Sequence, residues 1–344
     1  MAETYRFALV GNPNVGKSSL FNALTGLHQH TGNWPGKTVA TAAGRCSIDG
    51  AAVELIDLPG TYSLSARSPE EEVAAEYISF GCADAVIVVC DATALERNLY
   101  LALQVMEITD HVVICVNLMD EAGKRGITVD LPRLSQMLGV RVVGTSARQK
   151  KTLPPLLRAA VAAAQERHRK PVPVRYGEAI EAGLFSIEAR LDELLPGSMP
   201  NHRWIAMQLL TGGDTAICAL EKKLGRPLEE DPFLSEAVRL GRERIDRAGE
   251  TAAAAAAVLL RRAADIAAEV VSVAHQNGFS RDRRADRILT GKKFGIPIML
   301  LLLLILLLLI LILLPGIFIR ILIRILLRLF RMECMNLIRY LRIR

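Results

Sequence analysis

The sequence predicts three regions in order: a doubly wound α/β domain on a mostly parallel six-stranded sheet, an all-α domain, and a membrane helix. Three observations carry this. Residues 5–166 alternate short β-rich runs with helical patterns, as layered α/β folds do. After the Pro-rich stretch RKPVPVRY, 169–176, strand signals stop and helical periodicity takes over. From Phe294 to Ile319 the chain runs 26 residues without a charge, more than the ~20 needed to cross ~30 Å of hydrocarbon.

The candidate strands are 5–10, 39–48, 52–57, 84–90, 111–116 and 140–144. Asp49-Gly50, between the second and third, is a hairpin signal. The runs 85–90 and 112–116 are continuously apolar, which suits parallel strands covered on both faces. Beyond the linker, 177–195, 202–224 and 233–276 read as helical, broken at Pro196-Gly197 and Gly212-Gly213. Six alanines, 252–257, favour helix and close packing, and Asn277-Gly278 supplies a stop. Trp204 reads as a core anchor of this bundle. The expected boundaries are 1–168, 169–280, a basic juxtamembrane segment 281–293, the span 294–319 and a basic tail 320–344.

A chain of 344 residues suits two or three such units at ~150 residues each. Its net charge is +6, but residues 281–344 hold 13 Lys/Arg and 3 Asp/Glu, a net +10. That leaves −4 on residues 1–280, so the basic balance points to a membrane face rather than to nucleic acid. The six cysteines form no CxxC pair and read as reduced thiols, with Cys90 and Cys115 in buried strands. No apolar h-region opens the chain, so no cleaved signal peptide is expected.

Chemistry concentrates at four strand ends. Gly11-Asn12-Pro13-Asn14-Val15-Gly16-Lys17-Ser18 fits G-x-x-x-x-G-K-[ST] between a strand and a helix. The glycines let amide groups turn onto phosphate oxygens. Lys17 reaches the β- and γ-phosphates, Ser18 offers a hydroxyl to Mg²⁺, and the helix start adds its positive end. Asp57-Leu58-Pro59-Gly60 ends a strand about 40 residues later. Its carboxylate can hold Mg²⁺ through water and the Gly60 amide can sense a γ-phosphate. Asn117-Leu118-Met119-Asp120 suits guanine, because a carboxylate accepts from N1–H and the exocyclic amino group, which adenine does not present. Ser146-Ala147-Arg148 can give a backbone amide to the guanine carbonyl. Each is weak alone; four in order at strand ends point to a GTP site, with ATP as the runner-up nucleotide.

These motifs resemble the small G domains of the TRAFAC class, whose five boxes fall on 11–18, Thr38, 57–60, 117–120 and 146–148. The resemblance implies an α/β P-loop GTPase that hydrolyses GTP to GDP and phosphate. It implies Mg²⁺ on Ser18, Thr38 and Asp57, with Gly36, Lys37, Thr38 and Val39 in the first switch, and Lys17, Thr38, Gly60 and Asn14 carrying catalysis. Leu118 replaces the lysine of N-K-x-D, so weaker nucleotide binding and faster GDP release are expected. Thr61 replaces the glutamine that Ras-like enzymes use to orient water, so water must be held otherwise, by backbone groups of 33–36, with slow turnover. Asparagine at position 14 resembles the K⁺-activated group, where K⁺ supplies the charge an arginine finger gives elsewhere. Asn14 and carbonyls of 32–36 are the candidate K⁺ ligands; the plainer reading of Asn14 is a loop cap.

GNWPGKTV (32–39), DLPGTYSL (57–64), HRWIAMQLL (202–210) and DRILTGKKFGIPIML (286–300) together resemble the FeoB ferrous-iron transporter family, over about residues 3–300. The resemblance implies that 175–275 act as a guanine-nucleotide dissociation inhibitor linking the switches to the membrane. It implies a bacterial inner-membrane location with residues 1–293 in the cytoplasm. The implied partners are GTP/GDP, the lipid bilayer, and further membrane spans or a small cytoplasmic accessory protein, with a homo-oligomer possible and no nucleic acid. Family members continue into many more spans; here Arg320, Arg324, Arg328 and Arg331 instead mark one face of an interfacial helix. A truncated chain that hydrolyses GTP without transporting iron alone is therefore expected. A membrane-tethered regulatory GTPase that switches a partner protein is the alternative reading, and a soluble RNA-acting GTPase the third.

Overall fold

The computed structural model describes residues 4–26, 29–33, 39–65, 68–81, 83–166, 170–195, 201–274, 297, 301–306 and 308. Two compact units divide the chain, one ending at Ala274 and the other beginning at His275.

The first unit opens with β1 (Thr4–Gly11), α1 (Lys17–Thr25), β2 (Gln29–Asn33), β3 (Ala40–Ile48), β4 (Ala51–Asp57), α2 (Pro69–Phe80), β5 (Ala85–Asp91) and α3 (Leu95–Ile108). It continues with β6 (Val112–Asn117), α4 (Met119–Lys124), β7 (Ile127–Val129), α5 (Leu131–Leu138), β8 (Arg141–Gly144) and α6 (Leu153–Gln165). The helical stretch is α7 (Glu178–Leu194), α8 (His202–Thr211), α9 (Asp214–Leu224), α10 (Pro232–Ala248) and α11 (Ala252–Val270), closed by β9 (Val271–Val273).

The main sheet has the order β2-β3-β4-β1-β5-β6-β8. Strands β4, β1, β5, β6 and β8 run parallel, and β2–β3 and β3–β4 pair antiparallel. Alternation along β1 explains the double winding. Phe7 and Leu9 face a core shared with α1 and α6, while Ala8 and Val10 face one shared with α3 and α5. The β3–β4 turn holds Asp49 and Gly50 at φ +49° and +87°, the two left-handed residues a tight hairpin needs.

Besides the separate pair β7–β9, the main sheet has seven strands among the described residues, in place of the six expected. The addition is β2, an edge strand whose sequence QHTGN has no apolar alternation to signal it. The helical region also departs from expectation. Gly212 at φ +77° divides 202–224 into α8 and α9 as foreseen, but 233–276 is two helices and a strand. Gly249 at φ +69° ends α10, and the Thr251 hydroxyl accepts from Ala254 N–H at 3.2 Å to start α11; a side-chain cap of this kind starts a helix afresh.

The helical layer does not stand apart. Its buried Ile180, Leu184, Ile187, Trp204, Ile205, Leu259, Ala263 and Ile266 join the same core as Leu99, Leu103 and Met106 of α3. Trp204 is an anchor of that core, as its sequence position suggested. Helix α3 is thus packed between the sheet and α11.

Among the described residues, no helix is long and apolar enough to cross a membrane. Of the expected span 294–319 only 297, 301–306 and 308 are described, all helical. The rest of it, the juxtamembrane segment 281–293 and the tail 320–344 lie outside the described residues.

Candidate nucleotide site

Because β4, β1, β5, β6 and β8 are parallel neighbours, their carboxyl ends lie side by side, and all four motifs sit there, where open α/β sheets bind ligands. Gly11 ends β1, and the loop to Gly16 turns into α1, which begins at Lys17. Two residues of the loop adopt left-handed backbone, Asn14 at φ +67° and Gly16 at φ +79°. At Gly16 no other residue fits, since a Cβ would lie 2.6 Å from Asn117 Nδ2. Val15 is buried, Pro13 half-buried, and Asn14 and Ser18 exposed. Asn12 is buried and its amide donates to the Arg97 carbonyl at 3.3 Å.

Lys17 is 8% exposed. Its ammonium donates to the Asp57 carboxylate and to the Leu58 carbonyl, so the first and third motifs meet at a buried ion pair. Burial pushes the Asp57 carboxyl above its ordinary value despite Lys17, which acts the other way. Leu58 N–H continues the ladder to Leu9 O at 3.0 Å, and Thr61 N–H donates to Gly11 O at 3.2 Å. Pro59 is half-buried and Gly60 exposed; the nearest atoms to a Cβ at Gly60 would belong to Pro13, from 3.4 Å. The Thr61 side chain turns away from solvent, 3% exposed, with its hydroxyl donating to Ser63 O at 2.6 Å.

The base motifs form one bonded unit. Asn117, fully buried, donates from Nδ2 to Val15 O at 3.0 Å and accepts from Thr145 Oγ1 at 3.1 Å. Met119 N–H donates to Thr145 O at 3.1 Å, and Asp120 N–H to Ser146 Oγ at 3.1 Å. The Ser146 hydroxyl in turn holds the Asp120 carboxyl below the usual carboxylate range. Leu118 sits left-handed at φ +61°, and its Cδ2 would lie 3.6 Å from a Gly16 Cβ, so it packs along the phosphate loop. Ala147 is half-buried, and Arg148 is exposed with Glu121 3.9 Å away.

Gly36, Lys37 and Thr38, with the 34–36 part of the loop expected to hold K⁺ and water, lie outside the described residues; Val39 is buried. Sequence reasoning missed Thr145, which joins the two base motifs, although a polar residue directly after a strand was a usable signal. It also missed Gln104 of α3, whose Oε1 accepts from Leu64 N–H at 2.8 Å, and Arg97, whose guanidinium lies 4.8 Å from the Tyr62 ring centre.

This sheet, loop and motif order define an α/β P-loop GTPase fold. The profile of the family described as ferrous iron transport protein B matches residues 5–160. The cytosolic domain of the T. maritima FeoB iron transporter, in apo form, matches at 34% identity and TM-score 0.65, over 78% of this chain and 100% of that one. A GDP-bound mutant of the S. thermophilus FeoB G domain matches at 31% identity and TM-score 0.69, over 78% and 100%. A Porphyromonas gingivalis fusion of Fe(2+) transport protein A with the FeoB transporter is 35% identical over 308 residues, 86% of this chain. The chain belongs to the FeoB family. It spans 35% of the length of that fusion and 26% of Escherichia coli K12 FeoB, to which it is 37% identical over 210 residues.

Proposed function

We propose that residues 1–168 bind GTP and hydrolyse it slowly to GDP and phosphate, as the switch of a ferrous-iron transporter at the bacterial inner membrane. The observation that carries the nucleotide is the bonded unit Asn117–Thr145–Ser146–Asp120. It carries one carboxylate, which Ser146 holds below the usual carboxylate range, and is tied to the phosphate loop through Asn117. Gly11 to Ser18 cradle the phosphates, Lys17 neutralises them, and the Gly60 amide meets the γ-phosphate. The donors of Ser18, Thr38 and Asp57 suit Mg²⁺, which would offset phosphate charge. Gly36, Lys37 and Val39 flank Thr38 in the closing switch.

Lys17 would exchange Asp57 and Leu58 O for phosphate oxygens, which ties nucleotide arrival to the start of the second switch. With Thr61 bonded to Ser63, the attacking water is left to backbone groups of 33–36, which underlies the slow turnover. Asn14 and carbonyls of 32–36 would hold K⁺. Hydrolysis in KCl should exceed that in NaCl by about tenfold, the order of one added charge contact; equal rates would remove the K⁺ site.

Residues 169–280 would act as the dissociation inhibitor. The support is α3, which takes Leu64 on Gln104 and carries Glu107 to Tyr176 of the linker. Residues 1–293 would lie in the cytoplasm, 294–319 in the bilayer, and the fusion found in P. gingivalis supports a small accessory protein as partner. Titration of the purified chain with GTP and ATP tests the reading. Preference for GTP is expected, and equal affinity would overturn it.

A further inference from the structure

The short sheet β7–β9 joins two parts of the chain that lie some 140 residues apart. We infer that β9, through the pair Ser272 makes with Thr128 of β7, is a positioning element for the guanine base. It acts through Asp120 and touches no nucleotide itself. This rests on the GTP reading above.

Three connections carry it. First, Asp120 lies in the first turn of α4, a helix of six residues. Such a helix is too short to hold itself. Just beyond its end is Gly126, whose carbonyl accepts from Ala274 N–H at 2.8 Å. Next, β7 pairs antiparallel with β9, Ile127 with Val273, Thr128 with Ser272 and Val129 with Val271. The hydroxyls of Thr128 and Ser272 meet at 2.6 Å across the pair. Third, the bracing passes on to α5. Asp130 N–H donates to Val270 O at 2.9 Å, and the Asp130 carboxylate caps α5 through Arg133 N–H at 2.9 Å. Arg133 then pairs with Glu269 of α11.

Helix α5 returns the bracing to the other base motif. Its first residue, Leu131, lies against Gly144, where a Cβ would sit 2.8 Å from Leu131 Cδ1 and 3.4 Å from Met119 Cγ. Gly144 ends β8, directly before Thr145 and Ser146. So β9 supports α4, which bears Asp120, and α5, which packs beneath the loop bearing Ser146. Both halves of the base clamp lean on one three-residue strand, the last element before the chain leaves this unit at Ala274. By linkage, whatever displaces β9 weakens guanine binding, and bound guanine steadies β9.

The test is release of fluorescent GDP and IDP from the full-length chain in detergent, by stopped flow. Inosine lacks the exocyclic amino group and so makes one fewer contact to Asp120. Ser272→Pro removes an amide from the pair and should speed GDP release about tenfold, the worth of one hydrogen bond to a charged group. IDP release should speed by less, so the preference for GDP narrows. The milder double change Thr128→Val with Ser272→Ala keeps the strand and should shift GDP release about threefold in the same sense. Equal acceleration of both nucleotides would mean general loosening and overturn the positioning role, as would unchanged rates. A wild-type chain that does not prefer GDP over IDP overturns the guanine reading itself, independently of either variant.

Discussion

At the base end of the nucleotide site Asn117 bonds to Val15 and Thr145, and Ser146 holds Asp120. At the phosphate end Lys17 bonds to Asp57 and the Leu58 carbonyl. The base-end bonds leave lone pairs of the Asp120 carboxylate to accept from guanine, so on the proposed reading they would persist when the base arrives. The phosphate-end bonds use the one ammonium that phosphate does need, so they must be exchanged. On the proposed reading, one end would be a fixed mould, and the other would change partners and pass that change to 57–61. Discrimination would then reside at the base end and switching at the phosphate end.

Removing the exchanging group should have the largest effect. Lys17→Ala is expected to weaken GTP binding by more than a hundredfold, about 3 kcal/mol or above, since it deletes charge-assisted bonds in a buried site. Guanine-over-adenine preference should survive in whatever binding remains. Competition titration measures both, and a lost preference would break the division of labour. Asp120→Asn should cost about a hundredfold in GDP affinity, from two bonds at about 1.5 kcal/mol or more each, while favouring xanthine, whose second carbonyl can accept from the new amide. Calorimetry with GDP and XDP decides. If hydrolysis at saturating nucleotide fell as well, the ends would not be separate.

A smaller effect is expected at Leu118. It keeps the packing on the loop beside Gly16 but brings no ammonium, so Leu118→Lys should slow GDP release by about fivefold, under 1 kcal/mol. Smallest at the site itself should be a change at the seam behind it. Burial pushes the Glu107 carboxyl up to about 7, although the Tyr176 hydroxyl donates to it and Arg203 lies near. A carboxyl with a raised folded value stabilises fully below the ordinary glutamate value, and that contribution is lost as pH rises through about 7. Melting temperature should fall across that window, and Glu107→Gln should flatten the fall while leaving GDP affinity within about twofold.

Much of this was legible in the sequence because it is local. A strand followed by G-x-x-x-x-G-K-S, or by N-x-x-D, carries its own chemistry and direction. The doubly wound fold followed from continuous apolar runs such as 85–90, whose residues are buried on both faces. What escaped depends on distant partners. QHTGN becomes β2 only because β3 offers an edge, and Val271–Val273 becomes β9 only because β7 lies alongside. Thr61 stands where a water-orienting glutamine is usual, and nothing in its neighbours along the chain announced its bond to Ser63. The helical layer looked like a separate domain because the core it shares with α3 is invisible to periodicity, which reports that a face is apolar and not what covers it.

That shared core has a consequence during synthesis. Helix α3 leaves the ribosome long before α11, the helix that covers its outer side. Until residues 252–270 emerge, the growing chain holds a finished sheet with one apolar wall open to water, the kind of surface that invites aggregation or a chaperone. The alanine-rich start of α11, which needs little help to become helical, shortens that interval.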